Sequence, residues 1–149
     1  MLQSPESIEA YLHEHIPITR PIGVKVLAFD GELIRLGAPL QLNLNHRHTV
    51  FGGSIATLGI LANWTLVHLK LECEDLHPRL VIQKSYVDYI ESIDNDFEAV
   101  ARIPDKETWE RFKKMLTQKG KARIAVRSEI QLNQRTVAVH EGAYVALKV

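Results

Sequence analysis

The chain has 149 residues, of which 46% are hydrophobic, and its 18 Lys and Arg residues balance its 18 Asp and Glu residues. This length fits one domain with one core over residues 1–149, and the balanced charge argues against nucleic-acid binding, which needs a basic surface. Cys73 is the only cysteine, which excludes an intrachain disulfide or a cysteine-cluster metal site. The first fifteen residues are amphipathic and acidic rather than signal-like, so we expect a cytoplasmic protein without a resident metal or cofactor.

The first third of the chain predicts a helix and a strand pair. Ser4 followed by Pro5 is an N-cap and first-turn pair, which predicts a helix to about His15. Two strands, 24–29 and 33–36, flank the dipeptide Asp30-Gly31. Such a dipeptide is typical of a hairpin closed by a type I′ turn.

The longest apolar segment, Ser54 to Leu71, predicts one buried helix. Its 18 residues approach the length that spans a bilayer. However, Asn63, His68 and Lys70 lie within or near its last turns, and strand-like segments on both sides could enclose it. We therefore expect a core helix and no membrane insertion.

The second half of the chain predicts four more strands and one surface helix. Strands 80–90 and 97–103 are predicted to form a hairpin-like unit. Strand 122–130 alternates apolar and polar residues, and strand 137–147 follows it after a turn at 133–135. Between these two pairs, Asp105 caps a helix that ends before Gly120, and its apolar stripe consists of Trp109, Phe112, Met115 and Leu116. Six antiparallel strands and one helix that is apolar on nearly all sides predict an α+β fold, with a curved sheet wrapped around that helix.

A glycine turn precedes the predicted core helix. The first N–H groups of a helix have no partner inside it, and the helix dipole concentrates positive potential there. Gly52, Gly53 and Ser54 could therefore present bare amides to an oxyanion or a phosphate.

These motifs resemble those of a known family. Asn45, then Phe51-Gly52-Gly53, then the buried helix, then a strand carrying Ser85-Tyr86 are similar to the hotdog-fold acyl-CoA thioesterases, from roughly Gly23 to the C-terminus. The segment FGGSIATLGILANW most resembles the bacterial thioesterase-like domain of the YiiD C-terminal type. The resemblance implies a hotdog fold, a homo-oligomer (dimer or tetramer), and a thioester substrate carried by coenzyme A or by an acyl carrier.

The resemblance also implies roles for single residues. In the better-known hotdog thioesterases, an asparagine six residues before a His-Gly-Gly turn positions the thioester carbonyl or the attacking water. Asn45 stands at that position, Gly52 and Gly53 match the glycines whose backbone N–H holds the thioester oxygen, and Phe51 replaces the histidine. The catalytic acid of those enzymes falls at Ile60, which cannot accept a proton.

Other residues must therefore supply the general base. His46 and His48 are the preferred candidates, because an imidazole titrates near working pH. Asp88 and Glu91, on the strand after the helix, are the alternatives.

Three further residues are candidates for binding substrate or water. Thr57 and Asn63 lie three residues to either side of Ile60 and could hold a water by hydrogen bonds. Ser85 matches a strand serine that assists the site in some relatives of the family.

Structural explanations compete with these roles. Asn45 could form a turn with its own backbone, the two glycines could permit close packing, and the two histidines could be solvated loop residues.

Three functions follow: a thioesterase, a binding module for acyl thioesters without turnover, and a hotdog dehydratase. The dehydratase ranks last because its usual glycine-histidine-phenylalanine-proline segment does not occur.

Overall fold

A computed structural model describes residues 3–149, so Met1 and Leu2 of the predicted domain lie outside the described residues. The helices and strands, in chain order, are α1 (Pro5–His15), β1 (Lys25–Phe29), β2 (Leu33–Ala38), α2 (Gly52–Cys73), β3 (Arg79–Tyr89), β4 (Phe97–Arg102), α3 (Lys106–Lys119), β5 (Lys121–Leu132) and β6 (Arg135–Leu147).

One antiparallel sheet contains all six strands in the order β1-β2-β4-β5-β6-β3. Helix α2 packs against five of them, from β2 to β6, so the sheet wraps around this helix as the sequence predicts. A second apolar cluster lies under α3, where Trp109, Phe112 and Leu116 are buried. The α+β class and the central helix are confirmed.

Helix α2 is a core helix. By length and composition it could cross a membrane, but 67% of its most apolar window is buried inside the protein. One stripe stays partly exposed, and its members recur every three or four residues: Gly53, Thr57, Ile60 and Trp64. This stripe is the part of α2 that the sheet does not cover.

The predicted helix caps are present. Ser4 Oγ accepts a hydrogen bond from Ser7 N (3.1 Å) at α1, and Asp105 Oδ1 accepts one from Thr108 N (2.8 Å) at α3. Gly120 ends α3 in the left-handed region at φ 73°. Met115, in contrast, is 45% exposed, because successive residues are about 100° apart around a helix and Met115 therefore points away from Leu116.

The β1–β2 hairpin forms, but the predicted type I′ turn at Asp30-Gly31 is wrong. Only Gly31 has a positive φ (94°), whereas a type I′ turn needs two such residues. Asp30 instead accepts hydrogen bonds on Oδ1 from Glu32 N (2.9 Å) and Leu33 N (2.8 Å). The positive-φ pair occurs between β5 and β6, at Asn133 and Gln134 (φ 50° and 66°).

The predicted pairing of the third and fourth strands is also wrong. Strand β3 pairs with β6 at one edge of the sheet, whereas β4 lies between β2 and β5. The connection between β3 and β4 is anchored in the core, where Ile93 is fully buried and its carbonyl accepts a hydrogen bond from Val50 N (2.8 Å). This connection crosses to the centre of the sheet instead of turning back on β3.

Candidate active site

The amino-terminal end of α2 presents two free backbone amides. Ser54 N and Ile55 N both donate to Phe51 O, at 2.9 and 3.3 Å, so Ser54 does not offer the bare amide that the sequence suggests. Gly52 N and Gly53 N have no hydrogen-bond partner within residues 3–149. These two amides therefore carry the positive end of the helix dipole.

A cleft of about 320 Å³ opens beside this helix end. Tyr89 OH donates to Gly52 O at 3.0 Å and so joins the end of β3 to the start of α2. The cleft is lined by Asn45, Thr49, Val50, Gly52, Ile55, Tyr89, Ile90, Glu91, Ser92 and Ile93. Asn45 and Gly52, two of the predicted site residues, therefore share one cleft.

Asn45 organises the loop that forms one wall of the cleft. Its Oδ1 accepts hydrogen bonds from Arg47 N (2.8 Å) and Thr49 N (3.1 Å), and its Nδ2 donates to Thr49 Oγ1 (2.8 Å). An amide nitrogen carries two hydrogens, and the turn uses one of them. The second N–H has no hydrogen-bond partner within residues 3–149.

His46 and His48 lie at the exposed tip of that loop. Leu44 and Val50 bridge its two arms, and neither histidine lines the cleft. Among residues 3–149, no group of three or more His, Cys, Asp or Glu side chains could hold a metal ion.

Of the predicted base candidates, only Glu91 lines the cleft. Its Oε2 accepts a hydrogen bond from Arg135 Nε at 2.9 Å. Both side chains of this ion pair are partly exposed, so the carboxylate remains accessible from the cleft.

Phe51 covers the second glycine of the turn. A Cβ atom on Gly53 would overlap the Phe51 ring, whereas a Cβ on Gly52 would meet the Tyr89 ring at an ordinary 3.6 Å. The Phe51 side chain is itself 57% exposed. The absence of a side chain at Gly53 therefore lets an aromatic ring lie directly on the backbone beside the free amide.

Thr57 and Asn63 do not share one face of α2. Thr57 is on the exposed stripe and donates from Oγ1 to Gly53 O (2.7 Å), whereas Asn63 is fully buried and donates from Nδ2 to Val126 O (3.0 Å). Six residues at about 100° each place the two side chains far apart around the helix. They are not arranged to hold one water beside Ile60.

The exposed stripe of α2 runs alongside strand β3. Trp64 Nε1 donates to Leu80 O (2.9 Å) at one end, and Tyr89 OH donates to Gly52 O at the other. Ser85 lies between these two contacts, on the same side of β3 as Tyr89. We call this surface, formed by the exposed stripe of α2 with Ser85 and Tyr89, the open face.

The sequence reasoning missed His140. This residue is fully buried, with Nδ1 3.0 Å from Asn63 Nδ2 and Nε2 2.9 Å from Ser85 Oγ. Burial lowers the pKa of His140 to about 4, so the ring is neutral near pH 7. The sequence signal that could have revealed His140 is a polar residue at an inward position of the alternating strand β6. In the structure it lies directly opposite the buried Ser128 of β5.

A curved six-stranded antiparallel sheet wrapped around one long buried helix defines the hotdog fold. The chain belongs to the family described as "Putative thioesterase (yiiD_Cterm)", whose model matches residues 5–148.

Solved structures share this fold. A protein of unknown function from Chlorobaculum tepidum is 27% identical, with a TM-score of 0.90, and the match covers 97% of this chain and 94% of that one. A Shewanella oneidensis protein named "putative thioesterase" is 24% identical, with a TM-score of 0.84 and 96% of each chain covered. A Pseudomonas aeruginosa protein is 19% identical, also with a TM-score of 0.84, and covers 100% of this chain and 99% of that one. The last two matches show the fold.

Proposed function

We propose that the protein hydrolyses an acyl thioester of coenzyme A or of an acyl carrier protein, with Gly52 and Gly53 holding the thioester oxygen. The observation that carries this proposal is the pair of free amides at the start of α2, beside a cleft, in a chain of the thioesterase family. Such donors stabilise the oxyanion of the tetrahedral intermediate, and one of them typically lowers the barrier by about 3 to 4 kcal/mol.

In the proposed reaction, a water oxygen attacks the thioester carbon and the carbonyl oxygen becomes an oxyanion. The C–S bond breaks when this intermediate collapses, which yields a carboxylic acid and a free thiol. The remaining Nδ2 hydrogen of Asn45 orients the water or the carbonyl. Glu91 accepts the proton of the water and passes it to the leaving sulfur, because it is the carboxylate that lines the cleft.

The other predicted binding residues form two groups, one accessible to a substrate and one that supports the site. Phe51, Thr57 and Ser85 are accessible beside the helix start or on the open face, and we assign them to substrate contact. Ser54 is bonded to Phe51 O and Asn63 is buried against the sheet, and we assign both to support of the site. The single free cysteine, Cys73, suits the reducing cytoplasm.

The direct test of this function is a panel of acyl-CoA substrates of different chain length, followed by free-thiol release. We expect at least one substrate to be hydrolysed, with a rate that depends on the acyl chain. No thiol release from any acyl-CoA or acyl-carrier thioester would contradict the hydrolase function.

A binding module without turnover is the second candidate. It is favoured by Ile60, a partly exposed residue of α2 that stands where related enzymes place the catalytic acid and cannot take a proton. Calorimetry with a non-hydrolysable thioether analogue of acyl-CoA separates the two functions: binding without thiol release supports the module.

The loop histidines are expected not to act as the base. We predict that His46→Gln and His48→Gln leave the pH dependence of thiol release unchanged, because neither side chain lines the cleft. A histidine base gives a rate that rises through roughly pH 6 to 7. Loss of such a rise in either variant would make that histidine the base in place of Glu91.

We also propose that the protein forms a dimer through β3. The outer edge of β1 is covered by α1, where Val26 N donates to Glu9 Oε1 (2.9 Å), whereas β3 is an 11-residue edge strand. Its apolar side chains are exposed: Val81, Ile82, Tyr86 and Tyr89. An unprotected apolar edge is stabilised by pairing with its own copy across a two-fold axis.

We predict that Ile82→Lys with Tyr86→Lys converts the dimer to a monomer, because like charges would face each other across the two-fold axis. Leu27→Lys is the matched control, since Leu27 is 44% exposed on the opposite edge strand. Light scattering after gel filtration at micromolar concentration measures the mass. A wild-type monomer, or a dimer that survives the β3 change, would contradict this interface.

A further inference from the structure

A chain of three polar side chains leads from the core to the open face. Asn63 and His140 are fully buried, and Ser85 is exposed on β3. The contacts run from Asn63 Nδ2 to His140 Nδ1 (3.0 Å) and from His140 Nε2 to Ser85 Oγ (2.9 Å). Helix α2 and strand β6 can approach this closely because Gly59 has no side chain. A Cβ on Gly59 would lie only 2.6 Å from His140 Cβ.

The buried end of this chain of side chains fixes which atoms donate and which accept its hydrogen bonds. The Val126 carbonyl, 3.0 Å from Asn63, can only accept a hydrogen bond, so the amide atom facing it must be the nitrogen. The same nitrogen faces His140 Nδ1, which therefore accepts. A neutral imidazole that accepts on Nδ1 carries its hydrogen on Nε2, and Nε2–H donates to Ser85 Oγ.

The direction of these hydrogen bonds gives Ser85 a role different from that of a nucleophile. A serine, a histidine and an asparagine in sequence look like a nucleophile, its base and an orienting group. Here the lone pair of His140 faces Asn63 and its N–H faces Ser85, so His140 cannot remove the Ser85 proton. The Ser85 hydroxyl hydrogen points away from His140, and the hydroxyl becomes a stronger donor because it accepts a hydrogen bond itself.

We propose that Asn63 and His140 are positioning residues that direct the Ser85 hydroxyl hydrogen into the open face, where it donates to a carbonyl oxygen of the substrate. This inference rests on the proposed function. Ser85 lies alongside α2 between the Trp64–Leu80 and Tyr89–Gly52 contacts. A thioester held at Gly53 extends along that surface, so either its own carbonyl or a pantetheine amide carbonyl can be the acceptor.

The first experiment measures the histidine tautomer without any substrate. Long-range proton–nitrogen correlation spectra of histidine-labelled wild-type protein should show His140 as the Nε2–H tautomer at pH 7. A His140 that carries its proton on Nδ1 would overturn the proposal, because Ser85 would then donate to His140.

The second experiment measures the hydrogen bond to the substrate. Ser85→Ala and His140→Leu should each raise the KM for the preferred acyl-CoA about three- to tenfold, and the double variant should be no worse than either single one. His140→Gln restores an amide donor toward Ser85 and should stay within about twofold of wild type. Ser85→Ala tests the donor even if His140→Leu fails to fold, because Ser85 is exposed.

Two non-hydrolysable probes identify the acceptor. If the thioester carbonyl accepts, Ser85→Ala weakens binding of a 2-oxoalkyl-CoA ketone but not of an alkyl-CoA thioether. If a pantetheine amide accepts, both weaken equally. If the wild type binds and hydrolyses a thioester and Ser85→Ala changes neither, the donor role of Ser85 is overturned and the proposed function stands. A wild type that neither binds nor hydrolyses a thioester overturns the proposed function, and the donor role with it.

Discussion

Gly53→Val is expected to abolish most thioester hydrolysis, with a loss of about 100- to 1,000-fold in kcat/KM. A loss of that size in kcat is typical when one oxyanion donor is removed. A Cβ at this position would overlap the Phe51 ring, and a β-branched side chain adds further bulk against the amide that we propose holds the thioester oxygen. The ring and the valine would together close the approach to the Gly53 N–H.

Gly52→Ala is the matched control for this variant. Both substitutions keep the backbone N–H, but the Cβ at Gly52 would meet Tyr89 at an ordinary 3.6 Å. The Gly52 amide therefore stays accessible, and we expect near wild-type turnover. Thiol release and thermal melting are measured on both variants. A folded Gly53→Val protein that retains full turnover, or full binding of the thioether analogue, would remove Gly53 from the site.

The second large effect is expected at Asn45, where two substitutions separate two roles. Asn45→Ala removes the three hydrogen bonds that organise the loop and the free N–H, so it should lower stability by about 1 to 3 kcal/mol and also reduce turnover. Asn45→Asp keeps an oxygen for Arg47 N and Thr49 N and can accept from the Thr49 hydroxyl. It carries a negative charge and has no N–H, so the Thr49 contact reverses its direction and the donor that we propose faces the substrate is lost.

Asn45→Asp should therefore retain the melting temperature while kcat falls about 10- to 1,000-fold. Thr49→Val is the control, because it removes the partner of Asn45 Nδ2 in the loop and leaves the remaining N–H in place. It should lower the melting temperature slightly and preserve kcat. Full activity in a stable Asn45→Asp protein would restrict Asn45 to its role in the turn.

Much of the fold could be predicted because its signals are local. Ser4 and Asp105 cap their helices through neighbouring amides, and the alternation along β5 follows from the two-residue period of a strand. The pairing of β3 could not be predicted this way. Its partner, β6, comes more than forty residues later in the chain, and the apolar pattern that marks a strand does not specify which strand lies beside it.

The candidate site divides in the same way. The sequence by itself determined the glycine turn at the start of a buried helix and the asparagine before it, because these are residue types at fixed spacings. The resemblance to the hotdog thioesterases implies that Ile60 stands at the position of their catalytic acid. Only the tertiary structure decided that Asn45 and Glu91 border the cleft while His46 and His48 do not. It alone brought Asn63, His140 and Ser85 together from α2, β6 and β3, since burial and hydrogen-bond direction depend on how distant segments pack.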